Sequence, residues 1–147
     1  MKLTTKGHYA VKALLDLSLS PLNQPISVSK IANRQNIPAP YLEKILIQIR
    51  RAGLIKSIRG SQGGYQLAIS PEKISLGEIL TAVGDKIEPL PNVDNIADSP
   101  EDWVTVTLWK RLNRKLKEAV FEISLADLYY DARSRQADLG EGNNFIV

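Results

Sequence analysis

The sequence predicts a mainly α-helical protein with one small β-hairpin: a compact helical head, then a long separate helix. Three observations predict it. Apolar residues recur at helical spacing in three successive stretches before Gly53. Two short alternating stretches, LIKSI and GYQLAI, flank the glycine-rich RGSQG. From Ser99 to Ile123 an unbroken helical pattern continues for about 22 residues, about 33 Å at 1.5 Å per residue.

Each element has its own signals. KGHYAVKALLDLSLS is apolar at Ala10, Val11, Ala13, Leu14, Leu15, Leu17 and Leu19. An arc that wide predicts a helix buried on more than one side. Pro21 and Pro25 end it and bracket a turn. Ser27 is a candidate N-cap for VSKIANRQ, with Val28, Ile31 and Ala32 inward. After the break at NIPAP, Tyr41, Leu42, Ile45, Leu46 and Ile49 share one face of a third helix that stops at Gly53. Two short helices joined by a tight break form a helix-turn-helix pattern. The strands that follow, with faces Leu54/Lys56/Ile58 and Tyr65/Leu67/Ile69, add a wing.

Ser75 and Glu78 have capping-box spacing ahead of a short helix with Leu76, Ile79, Leu80 and Val83 as its stripe. Residues 84–98 carry prolines and acids without helical period and are expected to be a loop. Ser99-Pro100-Glu101-Asp102 starts the long helix with a cap, a first-turn proline and acids on the positive end of the dipole. Leu108, Leu112, Leu116, Ala119, Val120 and Ile123 line one side, with Trp109 beside them. A stripe this long exceeds what so small a head can cover, so a second chain is expected on it. Ser124 is placed to cap a short last helix, LADLYYDARSRQ, and residues 137–147 are expected to be a flexible tail. The domain reading is therefore a winged helix-turn-helix at 1–83, a loop at 84–98, a dimerisation helix and short terminal helix at 99–136, and the tail.

The glycine stretch excludes two enzyme signatures. A P-loop needs GxxxxGK[ST], but Gly64 is followed by Tyr65 and Gln66. The GxGxxG fingerprint and its βαβ setting are also missing. Positive φ in a hairpin loop explains the glycines better. That leaves Arg59 at the tip, suited to a narrow minor groove where negative potential is concentrated.

Charge points the same way. The 147 residues carry a net charge of +3, but residues 1–73 sum to +8 and residues 74–147 to −5. A basic head on an acidic body fits nucleic-acid binding. No apolar run reaches the ~18 residues of a membrane helix, and the start MKLTTKGHYA has no signal-peptide core. With no cysteine, disulfides, thiolate metal sites and cysteine nucleophiles are excluded, and a cytoplasmic setting is expected. No catalytic constellation emerges; the single histidine, His8, has no Ser–Asp setting, and no enzyme is expected.

These stretches together resemble the IscR-type (Rrf2) family of bacterial winged-helix transcriptional regulators. KLTTKGHYAVKALLDL, IPAPYLEKIL, AGLIKSIRGSQGGYQLA and ISLGEIL carry the resemblance, which continues through Trp109 and EISLADL over roughly residues 1–130. It implies a homodimer whose long helices cross, with two heads on a palindromic DNA operator; a repressor is expected, while the residues do not decide between activation and repression. It assigns DNA contact to Tyr41, Glu43 and Lys44 on the recognition helix. Glu accepts from cytosine N4 and Lys reaches guanine O6 and N7. Lys2, Lys6, Lys12, Arg50, Arg59 and Ser61 join them as candidates on phosphate or groove. Pro40 stands in the same stretch but departs from relatives with a hydrogen-bonding serine there. Leu108, Trp109, Leu112, Leu116, Val120 and Ile123 are the dimerisation candidates.

Iron–sulfur members of the family place three cysteines in the segment corresponding to 84–106, where this chain has residues such as Asn92, Asp98 and Val104. Clusters are held mainly by thiolates, so no cluster and no other cofactor is expected. Asp94, Asp98, Glu101 and Asp102 match no calcium loop, and no metal site is assigned. An unidentified effector ligand or partner protein is then left to supply the signal, with loop 84–98 as the candidate controlling element. The competing reading is a winged-helix adaptor that no longer binds DNA; the intact wing and the +8 head weigh against it.

Overall fold

The computed structural model describes residues 2–21, 23–88 and 99–144. The described elements are α1 (Thr5–Leu19), α2 (Val28–Gln35), α3 (Ala39–Arg51), β1 (Ile55–Ile58), β2 (Gly64–Leu67), a 3-10 turn at Pro71–Lys73, α4 (Leu76–Ala82), α5 (Pro100–Glu122) and α6 (Leu125–Asn144). The chain is mainly helical with one antiparallel hairpin, in which Ile55 pairs with Leu67 and Ile58 with Gly64.

The wide apolar arc of α1 does what its pattern requires. The helix lies against α2, α3, α4, α6 and β2. Ala10, Ala13 and Leu14 are wholly buried, the two alanines being small enough to let neighbouring helices approach. Leu42, Ile45, Leu46 and Ile49 of α3 and Ile31 of α2 meet this face, joined by Ile74, Ile79 and Leu125 from further along the chain.

Side-chain caps set the helix starts. Ser27 accepts from Lys30 N, Ser75 from Glu78 N and Ser99 from Asp102 N. Ser124 forms a reciprocal box: Asp127 N donates to its Oγ at 3.1 Å, and Ser124 N donates to Asp127 Oδ2 at 2.9 Å. The same residue pairs with Ser75 in an isolated antiparallel bridge. Leu76 N donates to Ile123 O at 2.8 Å and Leu125 N to Ile74 O at 2.7 Å, so the junction of α5 and α6 is tied to the start of α4.

One charge lies inside the head. The Asp16 carboxylate is buried and receives Arg34 Nε at 3.0 Å, a second Arg34 nitrogen at 2.6 Å and Gln35 Nε2 at 2.8 Å. Lys12 Nζ donates to the Gln35 carbonyl at 2.7 Å. These bonds pin the C-terminal end of α2 to the middle of α1. They also commit Lys12, a phosphate-side candidate by sequence, to a structural partner.

Three expectations need correction. The last helix does not stop at residue 136 but runs to Asn144, through most of the expected tail; Ala137, Leu139 and Glu141 favour a helix, and no proline interrupts them. The hairpin does not alternate cleanly: Leu54 and Ile55 are both buried, while Ile58 and Ile69 are exposed. The first strand leaves α3 directly into the core, and only its base is covered. Finally, the long helix divides its stripe. Val120 is buried within the protomer, as is Val106, whereas Leu108 and Leu112 remain 41% and 44% exposed. The last turns of α5 pack on α4, with the Phe121 ring filling the space beside Gly77.

Replacing Asp16 by Ala is expected to lower unfolding free energy by about 2–3 kcal/mol, less than breaking a fully buried pair because half-exposed Arg34 rehydrates. Urea unfolding of Asp16→Ala against wild type measures it, and Asp16→Asn should fall between them.

Candidate nucleic-acid interface

The recognition helix presents its outer face by subtraction. Leu42, Ile45, Leu46 and Ile49 are buried, so Pro40, Glu43, Lys44, Arg50 and Arg51 stand out to solvent. At 100° per residue, Pro40, Lys44, Ile47 and Arg51 form one continuous row with Glu43 at its edge. Pro38 supplies no side-chain cap bond, and a proline occupies the first turn. Prolines suit that turn because its N–H groups have no intrahelical acceptor.

Tyr41 is half-buried. Its ring lies 5.9 Å from that of Tyr9, edge to face at 73°. Its main role is therefore to dock the first turns of α1 beside the start of α3. Through that contact exposed Lys2 and half-exposed Lys6 belong to the same end of the head as the recognition helix. His8 is exposed beside Tyr9, with ring centroids 6.0 Å apart.

The wing is anchored by a contact that spacing did not reveal. Ile26, just ahead of α2, exchanges two backbone bonds with Tyr65: Ile26 N donates to Tyr65 O at 2.9 Å and Tyr65 N to Ile26 O at 2.8 Å. The short hairpin thereby gains a third strand-like neighbour. The approach is close enough that a Cβ on Gly64 would collide with the Ile26 backbone, and Gly64 has φ of +155°. Gly60, at φ +119° with open space around it, turns the tip. Arg59 and Ser61 project there, both exposed.

The predicted residues thus separate into three groups. Lys2, Lys6, Glu43, Lys44, Arg50, Arg59 and Ser61 are accessible on the head, with Pro40 in the outer row of α3. Tyr41 is part packing residue, and Lys12 is held by Gln35. Ile47 and Arg51 share the outer row without being among the sequence candidates. The signal for Arg51 was its position eleven residues after Pro40 on the same face, masked by its closeness to the helix end. Among the described residues Arg34 with Asp16 forms the one ion pair, so no described carboxylate pairs with the basic groups facing outward.

Among the described residues the segment after α4 meets the start of α1 at Asp85. Thr4 caps α1 by accepting from Gly7 N at 2.9 Å, and its hydroxyl donates to Asp85 Oδ1 at 2.7 Å. The other Asp85 oxygen occupies the space that a side chain at position 7 would need. Residues 84–88 are irregular, with Ile87 buried. The remainder of the expected loop, including Asn92, Asp94 and Asp98, lies outside the described residues. Glu101, Asp102 and Val104 belong to the first turns of α5 and are exposed. Among the described residues no three His, Asp or Glu side chains converge as a metal site.

Comparison with known proteins is consistent along the chain. The family model Rrf2, "Iron-dependent Transcriptional regulator", matches residues 3–131. The Synechocystis sp. protein slr0846, described as an HTH-type transcriptional regulator, is 58% identical over 147 residues, covering 100% of both chains. IscR of Aliivibrio salmonicida is 35% identical, with 92% of this chain and 82% of IscR covered. Among solved structures, CymR, the global cysteine regulator of B. subtilis, superposes with a TM-score of 0.78 at 32% identity, over 88% of this chain and 97% of CymR. T. potens IscR gives 0.74 at 38% identity, over 92% and 91%.

Gly64→Ala should loosen the wing while leaving the helical core folded. The collision and the positive φ together are expected to cost about 1–3 kcal/mol. Amide hydrogen exchange should accelerate at Ile26 and Tyr65 and remain slow at Leu14 and Ile45.

Proposed function

The chain belongs to the Rrf2 family of transcriptional regulators, and we propose that it binds palindromic operators as a homodimer without an iron–sulfur cluster. DNA binding follows from the family. The observation that supports the finer reading is an outward recognition face whose cations form no ion pair among the described residues, flanked by a wing whose tip arginine is exposed. Lys44 and Glu43 read base edges in the major groove, with Arg51 at the far end of their row. Lys2, Lys6 and Arg50 hold phosphates, and Ser61 stands beside Arg59, which enters the minor groove.

Val104, Leu108 and Leu112, spaced i, i+4, i+8 on α5, are 56%, 41% and 44% exposed, with Trp103 at 56%. A second copy of α5 would cover this row, with Leu116, Trp109 and Ile123 at its margin and Val120 outside it. Two heads joined in this way suit half-sites about 34–36 Å apart. Such a protein works where the chromosome is, in the cytoplasm, and repression by operator occupancy is its simplest action.

The donor set does not fit the family's iron–sulfur group. The chain has no cysteine, and cluster iron is held mainly by thiolates. Regulation therefore enters through another ligand, a partner protein, or the amount of regulator present.

Selection of bound genomic fragments by purified protein should return a palindrome, with affinity falling by orders of magnitude between ~50 and ~200 mM salt. Arg59→Ala should cost about 1–3 kcal/mol, mainly at A·T-flanked sites. Protein isolated without oxygen should be colourless and iron-free and should bind equally in air. A salt-independent shift, or none on any fragment, would favour the adaptor reading; stoichiometric iron with visible absorption would overturn the cluster-free one.

Leu112→Asp puts a charge in the open row of α5. Sedimentation should show wild-type dimers at micromolar concentration and Leu112→Asp monomers with little operator affinity. Wild-type monomers would refute the dimer.

A further inference from the structure

A cleft of about 550 Å³ opens between the head and α6, within the size range of small-molecule sites. One wall is the end of α1 with the 3-10 turn, including Ser18 and Glu72. The other is α6, with Tyr129, Tyr130 and Arg133. The two walls have opposite chemistry. α1 ends without a basic residue in its last turn, and just beyond it the Ser20 hydroxyl donates to the Asp16 carbonyl at 2.9 Å while accepting from Arg34 at 3.4 Å. The Ser18 hydroxyl already donates to the Leu15 carbonyl at 2.7 Å, leaving its oxygen free only to accept. Glu72 adds a carboxylate. This wall calls for a cation or a donor.

Across the cleft, Tyr129 and Tyr130 stand edge to face with ring centroids 5.4 Å apart. Tyr130 is 62% exposed, an aromatic surface that the chain itself leaves uncovered. Arg133 contributes a positive charge, and its one side-chain hydrogen bond among the described residues is a long 3.3 Å donation to Gln136 Oε1. Glu72 and Arg133 line the same cleft, yet among the described residues neither is in an ion pair.

We propose that this cleft binds a small zwitterion of the α-amino-acid type with an aromatic body. Its ammonium faces Glu72 and the end of α1, its carboxylate faces Arg133, and its ring lies on the tyrosines. An anion alone would leave Glu72 unanswered, and an amine alone would leave Arg133 so; a zwitterion meets both. The regulatory meaning rests on the DNA-binding reading above. Ser70 and Pro71, just beyond β2, line this cleft and also an adjoining one of about 290 Å³ that reaches Lys56 and Gln66 in the hairpin. An occupant therefore bridges α6 and the base of the wing.

The test uses full-length protein without DNA, so that it stands apart from the operator experiment. Calorimetry and amide NMR would follow L-phenylalanine, with phenethylamine and 3-phenylpropanoate as probes bearing one charge each. L-Phenylalanine should bind saturably and shift the amides of Ser70 and Ala126. Each single-charge probe should bind at least about 10-fold more weakly, as should L-phenylalanine to Glu72→Gln or Arg133→Gln. Both side chains are exposed, so unchanged circular dichroism is expected of the variants. The proposal is overturned if L-phenylalanine shows no saturable binding up to about 10 mM. It is equally overturned if either probe matches it, or if both variants bind like wild type.

Discussion

The head is organised by a demand placed on one helix. α1 must present an acceptable surface to α2, α3, α4, α6 and β2 at once. Alanine at positions 10 and 13 and leucine at 14 meet that demand because interiors are close-packed and a helix with many neighbours has no spare radius. Asp16 is the exception that fixes orientation. Apolar contacts alone would let α2 rotate on α1; a carboxylate accepting three donors from Arg34 and Gln35 allows one arrangement. Once α2 is set, so is Ile26 before it, and through Ile26 the wing.

Much of this was legible because helix boundaries are chemically marked. Ser27, Ser75, Ser99 and Ser124 each cap where a hydroxyl precedes an apolar period, and Gly53 follows the recognition helix at φ +83°. What was not legible depends on contacts distant in sequence. Nothing near Ile26 announces a bridge to Tyr65, and nothing near Asp16 announces that Arg34 will reach it. Periodicity identifies the buried side of α5 but cannot assign each residue to its neighbour, so Val120 and Leu112 looked alike. The expected tail at 137–147 underestimated the reach of α6, because glycines at 140 and 142 weaken a long helix without stopping it.

The interface was readable to a similar depth. Charge distribution and the wing pointed to the candidate surface, and subtraction of the buried positions of α3 gives most of that helix's outer face. Lys12 and Tyr41 were harder, since a lysine near a basic surface and a tyrosine on a recognition helix each have two uses. Their geometry separates the uses: one is bound to a carbonyl, the other set edge to face against Tyr9. The iron–sulfur sensor implied by the resemblance is where resemblance and residues part, because the sequence has no cysteine to supply thiolates.

The divided surface of α5 has a thermodynamic consequence. Its last turns complete the protomer's own core, so that part of the helix forms in a unimolecular reaction. In its earlier turns Val106 is buried, but Val104, Leu108 and Leu112 stand exposed and would be desolvated by another molecule. In a dimer built on that row, half of one helix is stabilised by mass action and the other half is not. Apparent stability then rises with protein concentration, and dilution would fray α5 from its amino end before the head unfolds. The abundance of such a regulator and the integrity of its longest helix are a single variable.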